Sequence, residues 1–157
     1  MKNPEFIVFT GPMFGSKTTR MLSVLERCSY QNKRVVAFKP KMDDRYEEGE
    51  ICTHAGLRFP ANNVNNGGDI LTQSIGYDVI GVDEAFMIDD CAAALIDLFK
   101  QGKTIVASSI QISATGNVFH EVKEMLPWAT KIEVCPAVCV KTGDNAYYTV
   151  RKIDNLA

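Results

Sequence analysis

Nowhere does this chain approach the ~20 consecutive apolar residues that a membrane-spanning helix requires, so no such span is expected. It also lacks an excess of either charge, since 17 Lys and Arg stand against 19 Asp and Glu for a net charge of −2. A balance of that kind leaves no electrostatic footprint for nucleic acid or for an anionic membrane surface, and neither partner is expected. The start, Met1-Lys2-Asn3-Pro4-Glu5, is not a secretory signal. Internal repeats and low-complexity segments are missing as well. Cysteine is sparse and odd in number, with five residues at Cys28, Cys52, Cys91, Cys135 and Cys139. That count argues against a disulfide framework and for a reduced, cytoplasmic setting. What remains is a 157-residue chain with 46% apolar residues, enough for one globular domain or one domain with a small appendage.

What is present begins with Phe6-Ile7-Val8-Phe9-Thr10, an apolar run that leads into Gly11-Pro12-Met13-Phe14-Gly15-Ser16-Lys17-Thr18. A buried strand, a glycine-containing turn and a Lys-Thr pair opening a helix form the pattern of a phosphate-binding loop. Its chemistry is mostly backbone: amide N–H groups at a helix N-terminus face phosphate oxygens, where the helix dipole also favours negative charge. Lys17 would reach the β- and γ-phosphates of ATP, and the Thr18 hydroxyl would hold Mg²⁺. One letter departs from the pattern. Ser16 stands where glycine is usual and Gly15 comes one position early, which would be awkward if the backbone at Ser16 needed positive φ.

Further along, Lys17–Gln31 carries Met21, Leu22, Val24, Leu25 and Cys28 at helical spacing. Arg34–Lys39 reads as a second buried strand closed by Pro40. Residues 42–66 are polar and lack periodicity, predicting a long loop with a short strand at Ile51–Thr53. Helices are predicted at Asp69–Ile75, Asp90–Lys100 and Val118–Leu126, and strands at Tyr77–Asp83, Lys103–Ser109 and Lys131–Cys135. This alternation predicts an α/β fold, a parallel sheet flanked by helices of the P-loop NTPase (RecA-like) type, over residues 1–135. Residues 136–153, with the turn signal Thr142-Gly143-Asp144-Asn145, predict a β-hairpin outside that sheet. The expected division is therefore 1–135 for nucleotide binding and 136–157 for a truncated hairpin appendage.

Asp83-Glu84 closes the strand that begins at Val79. An acid at the carboxyl end of a parallel strand beside a phosphate loop can hold Mg²⁺, so Asp83 joins Thr18 as a candidate metal residue. Glu84 can accept the proton of an attacking hydroxyl or orient a water. Taken alone, the pair would equally suit capping of the next helix.

Several landmarks arrive in order: Gly11-Pro12-Met13-Phe14, then Lys39-Pro40-Lys41-Met42-Asp43-Asp44-Arg45-Tyr46, then Thr53-His54 and Val79-Ile80-Gly81-Val82-Asp83-Glu84. Gly102–Ala107 and Thr130–Cys139 follow. In these, over roughly residues 5–151, the chain resembles the thymidine kinase family of animals, bacteria and large DNA viruses. The resemblance implies ATP phosphates on residues 11–18, Glu84 as the base for a nucleoside 5′-hydroxyl and Arg45 facing the transferred phosphate. It also implies Asp43 near the active centre, Met13 beside the base, a nucleoside substrate and a homo-oligomer, dimer or tetramer.

Departures fall on the acceptor side. Phe86 replaces a glutamine, and Met87 replaces an aromatic of the base pocket. In Ile110–Phe119, Ala114 stands where an aromatic would stack on thymine. With Ile110, these residues are the candidate substrate contacts, and the pocket is expected to have lost aromatic surface on both sides. The family's Cys-x-x-Cys zinc module keeps Cys139 but has Thr142 as its next member, so zinc is not expected, and Cys135 and Cys139 read as small apolar residues. The leading reading is an ATP-dependent deoxynucleoside kinase, acting on thymidine or a relative in nucleotide salvage. Two others stay open: a non-catalytic ATP-binding relative serving as an interaction or regulatory subunit, and an ATPase without a nucleoside acceptor.

Overall fold

In the computed structural model, which describes residues 3–12, 15–41, 49–53 and 56–149, the two-sided apolar runs become the strands of one parallel sheet. The strands are β1 (Phe6–Thr10), β2 (Val35–Pro40), β3 (Glu50–Cys52), β4 (Arg58–Pro60), β5 (Asn62–Val64), β6 (Val79–Val82), β7 (Thr104–Ser109) and β8 (Lys131–Val134). The main sheet holds six of them in the order β5-β2-β6-β7-β1-β8, all parallel. Its helices are α1 (Lys17–Tyr30), α2 (Gly67–Gln73), α3 (Cys91–Lys100) and α4 (His120–Met125).

Both faces of the sheet are covered, so side chains of each central strand alternate between two cores. Ile7 and Phe9 of β1 pack with Met21, Leu22, Leu25 and Cys28 of α1 on one face. Phe6 and Val8 pack with Ile70 of α2, Leu95 and Leu98 of α3 and Met125 of α4 on the other. Phe6 and Phe99 meet edge-on at 5.5 Å, tying α3 to β1. The row Phe38, Val82, Ala107, Val8, Ile132 runs straight across five strands. No described helix is long and apolar enough to cross a membrane.

The predicted elements recur with three corrections. Residues 42–66 are not simply a loop: β3 pairs antiparallel with β4, and β5 adds an edge strand to the main sheet. Ile51 anchors that pair, fully buried on the α1 side. The last helix is shorter than predicted, because Val118 bridges back to Ile112 and Pro127 lies in a 3-10 turn, Leu126–Trp128. Among the described residues, the C-terminal hairpin is confined to β9 (Ala137–Val138) and β10 (Asn145–Ala146), with Gly143 at φ 75° between them. Val138, Val140 and Tyr148 are exposed, so no packed face extends it. The predicted turn is real, with Cys139 N–H donating to Asp144 O and Gly143 N–H to Cys139 O, both at 2.8 Å.

Leu25 is fully buried where α1 crosses β6, so close that a Cβ added at Gly81 would lie 2.5 Å from Leu25 Cδ1. Leu25→Ala is expected to destabilise the fold by about 2–5 kcal/mol, with the midpoint of chemical denaturation as the readout.

Candidate active site

The phosphate-loop and acidic candidates among the described residues gather at the carboxyl end of the sheet, where parallel α/β folds bind their ligands. The loop from β1 to α1 is held by three backbone contacts. Cys135 N–H donates to Thr10 O at 2.7 Å, Gly15 N–H to Pro12 O at 3.2 Å, and Arg20 N–H to Ser16 O at 3.0 Å. Arg20 also pairs with Glu133 of β8, so β8 backs the loop. Gly11 takes φ 138°, and a Cβ there would collide with the Cys135 carbonyl.

Gly15 is needed for close approach alone. A Cβ built on it would sit 2.6 Å from Cys135 O and 3.2 Å from Pro12 O, both of them backbone atoms. Ser16, by contrast, has φ −87°, which any residue adopts. The expectation of strain at Ser16 is therefore corrected: the early glycine answers a close approach, and no positive φ is required at position 16.

Ser16 is the N-cap of α1 but makes no side-chain cap bond, and the first turn of α1 carries no acid. This leaves the helix N-terminus suited to an anion. Lys17 is buried, and its Nζ donates to Pro12 O at 2.6 Å within the loop. Thr18 Oγ1 donates to Asp83 Oδ1 at 3.0 Å, joining the loop to the end of β6. Asp83 is fully buried, and its N–H donates to Phe38 O at 2.9 Å. A hydroxyl and a carboxylate side by side at a phosphate loop form an oxygen donor set of the kind Mg²⁺ takes, so these residues fit that ion.

Glu84 follows with φ 51° and ψ 48°, a left-handed backbone that is uncommon for a residue with a Cβ. It is half-buried and opens a 3-10 turn, Ala85–Met87. Ile110 leaves β7 half-buried, while Met87 and Ala114 are exposed. The structure thus brings Gly11, Pro12, Gly15, Ser16, Lys17, Thr18, Asp83 and Glu84 to one end of the sheet. It does not enclose Met87 or Ala114. Met13, Phe14, Asp43, Arg45 and His54 lie outside the described residues.

With this geometry in view, comparison with known proteins is decisive. A thymidine kinase family model matches residues 5–157. The chain belongs to the thymidine kinase family. Thymidine kinase of Thermococcus kodakarensis is 37% identical over 155 residues, covering 94% of this chain and 78% of the relative. That of Bacteroides thetaiotaomicron is 30% identical over 152 residues, covering 94% and 75%. That of Pyrobaculum aerophilum is 32% identical over 155 residues, covering 96% and 83%.

Two features of this family member escape a reading of the sequence. Lys39 is a fully buried lysine at the end of β2, donating from Nζ to Glu50 O where β3 begins. It lies one residue beyond Phe38, the register partner of Val82, and so beside Asp83. A lysine inside an otherwise apolar strand was the available signal. Phe86 is the other. Its ring packs on Phe119 with centroids 4.6 Å apart and planes tilted by 40°, joining the segments that follow β6 and β7.

Among the thiols, burial pushes Cys91 well above the ordinary range. It also raises Cys28 and, behind the phosphate loop, Cys135. Cys139 is half-buried, and its thiol is lowered by a hydrogen bond from the Thr142 side chain, then by backbone N–H groups of Lys141 and Thr142.

Two measurements follow from this geometry. Gly15→Ala forces a Cβ against backbone, so it is expected to abolish ATP binding in calorimetry while the circular dichroism spectrum persists. As pH rises, Cys139 is expected to form thiolate and alkylate ahead of Cys28, Cys91 and Cys135, read by peptide mass spectrometry.

Proposed function

We propose that this protein is an ATP-dependent thymidine kinase, transferring the γ-phosphoryl group of ATP to the 5′-hydroxyl of thymidine. The observation that carries the reading is the 3.0 Å hydrogen bond from Thr18 to Asp83, which assembles the two halves of a phosphate site from residues far apart in sequence. Family membership supplies the reaction class.

The loop amides and the α1 N-terminus bind the triphosphate, and Lys17 places a cation at its β- and γ-oxygens. Thr18 and Asp83 would hold Mg²⁺, which when bound neutralises charge on those oxygens. Glu84 accepts the proton of the 5′-hydroxyl as its oxygen bonds to the γ-phosphorus. The bond from that phosphorus to the bridging oxygen breaks, and ADP leaves with the electron pair. Arg45 is assigned to the charge on the transferred group, and Asp43 to the same segment near the active centre. Met13, Ile110 and Met87 are assigned to the acceptor side. Ala114, exposed at a loop tip, is assigned to the same side.

Retention of Lys17, Thr18, Asp83 and Glu84 in one place disfavours a non-catalytic relative, which would have no use for the full set. Replacing the base tests the reading directly. Glu84→Gln is expected to lower kcat for thymidine phosphorylation by about 10²–10⁴-fold with ATP binding intact. Turnover at the wild-type rate would remove Glu84 from the mechanism.

A further inference from the structure

The segments that leave the carboxyl ends of β6 and β7 meet through the Phe86–Phe119 pair. Phe86 lies in the turn Ala85–Met87, which is fixed from below because Ala85 and Ile88 are buried in the core. Phe119 precedes α4, and Glu121 of α4 accepts from Ala92 N–H at 2.8 Å at the start of α3. Each ring is therefore carried by an anchored element, and both are half-buried.

The stretch from the end of β7 to Phe119 contributes no other ring. Ile112 bridges to Val118, Ser113 N–H donates to Asn117 O at 2.8 Å, and Gly116 N–H to Ser113 O at 2.9 Å. Ser113, Thr115 and Asn117 side chains then bond to one another. The segment closes on itself, and its tip, with Ala114, is polar and exposed. Met87, on the other side, is also exposed.

We propose that Phe86 is an acceptor-binding residue: packed on Phe119, it holds the aromatic wall on which the planar base of the acceptor stacks. The proposal rests on the kinase reading above. Ligands of parallel sheets bind outside the carboxyl ends of the strands, and these rings flank the gap between two of them. Phe86 is two residues from Glu84, so a base held at the pair brings its sugar hydroxyl within reach of the proton acceptor. Stacking on an aromatic ring suits any planar base, and pinning one ring with the other fixes where that base lies.

Steady-state kinetics of the full chain with thymidine and ATP, on wild type, F86L, F86Y and F119L, test this. Loss of the ring in F86L is expected to raise the thymidine KM about tenfold, with the ATP KM and kcat within about twofold of wild type. F86Y is expected to restore the thymidine KM, and F119L to raise it as F86L does. An unchanged thymidine KM in F86L, or an ATP KM that rises in parallel, overturns the proposal and leaves the kinase reading standing. Should F86L unfold below the assay temperature by circular dichroism, F119L carries the same comparison. A wild-type protein that neither phosphorylates thymidine nor binds it in calorimetry overturns both.

Discussion

The hydrogen bond from Thr18 to Asp83 is the contact on which the site depends, and it spans strands that are not neighbours. Thr18 follows β1, Asp83 ends β6, and β7 lies between the two. Their meeting requires β7 to be in register with both: Ala107 faces Val8 on one side and Val82 on the other. A slip of one residue in either ladder would move Asp83 by about 3.3 Å and turn its side chain to the opposite face. What forbids the slip is burial on both faces, since each strand would have to exchange its two sets of core residues. The apolar core thereby aligns a hydroxyl and a carboxylate that it never touches.

The phosphate loop illustrates how one residue type can answer different needs. Gly11 meets both a backbone angle and a close approach, whereas Gly15 meets the close approach alone, because the end of β8 passes directly behind the loop. Once β8 is close, position 15 must lack a Cβ and position 16 is free to be serine. The brace has a consequence for β8, an edge strand with Ile132 and Val134 exposed. Through Cys135 N–H on Thr10 O and Glu133 on Arg20, this strand holds the loop from behind.

Legibility of the sequence follows the same physics. β1, β2, β6 and β7 are readable because burial on both faces demands uninterrupted apolar residues, and α1 and α3 because each presents one apolar stripe. β5 is not readable. Asn62-Asn63-Val64 joins the edge of the sheet beside β2, with Val64 its only buried side chain. Among the described residues the hairpin is short, because Val138, Val140 and Tyr148 suit strands but find no face to cover. In the site, the phosphate half is legible since phosphate chemistry demands glycine, lysine, hydroxyl and carboxylate at fixed spacing. The acceptor half is a matter of shape, and that Phe86 finds Phe119 is invisible until α4 is docked on α3.

The backbone at Glu84 completes the logic of the site. In an extended strand successive side chains point to opposite faces. Asp83 faces α1, where Thr18 meets it, so a strand continued by one residue would send Glu84 to the face covered by α3. The chain instead leaves the strand at φ 51°, breaking the alternation at the residue where a second carboxylate is wanted. Such a conformation costs on the order of 1–3 kcal/mol for a residue with a Cβ. It is sustained by Asp83 N–H on Phe38 O, Met87 N–H on Glu84 O at 3.0 Å, and burial of Ala85 and Ile88. Glycine would relieve the strain but would bring no carboxylate. The strain is therefore the signature expected of the proposed site, in which Asp83 and Glu84 on consecutive residues take different tasks.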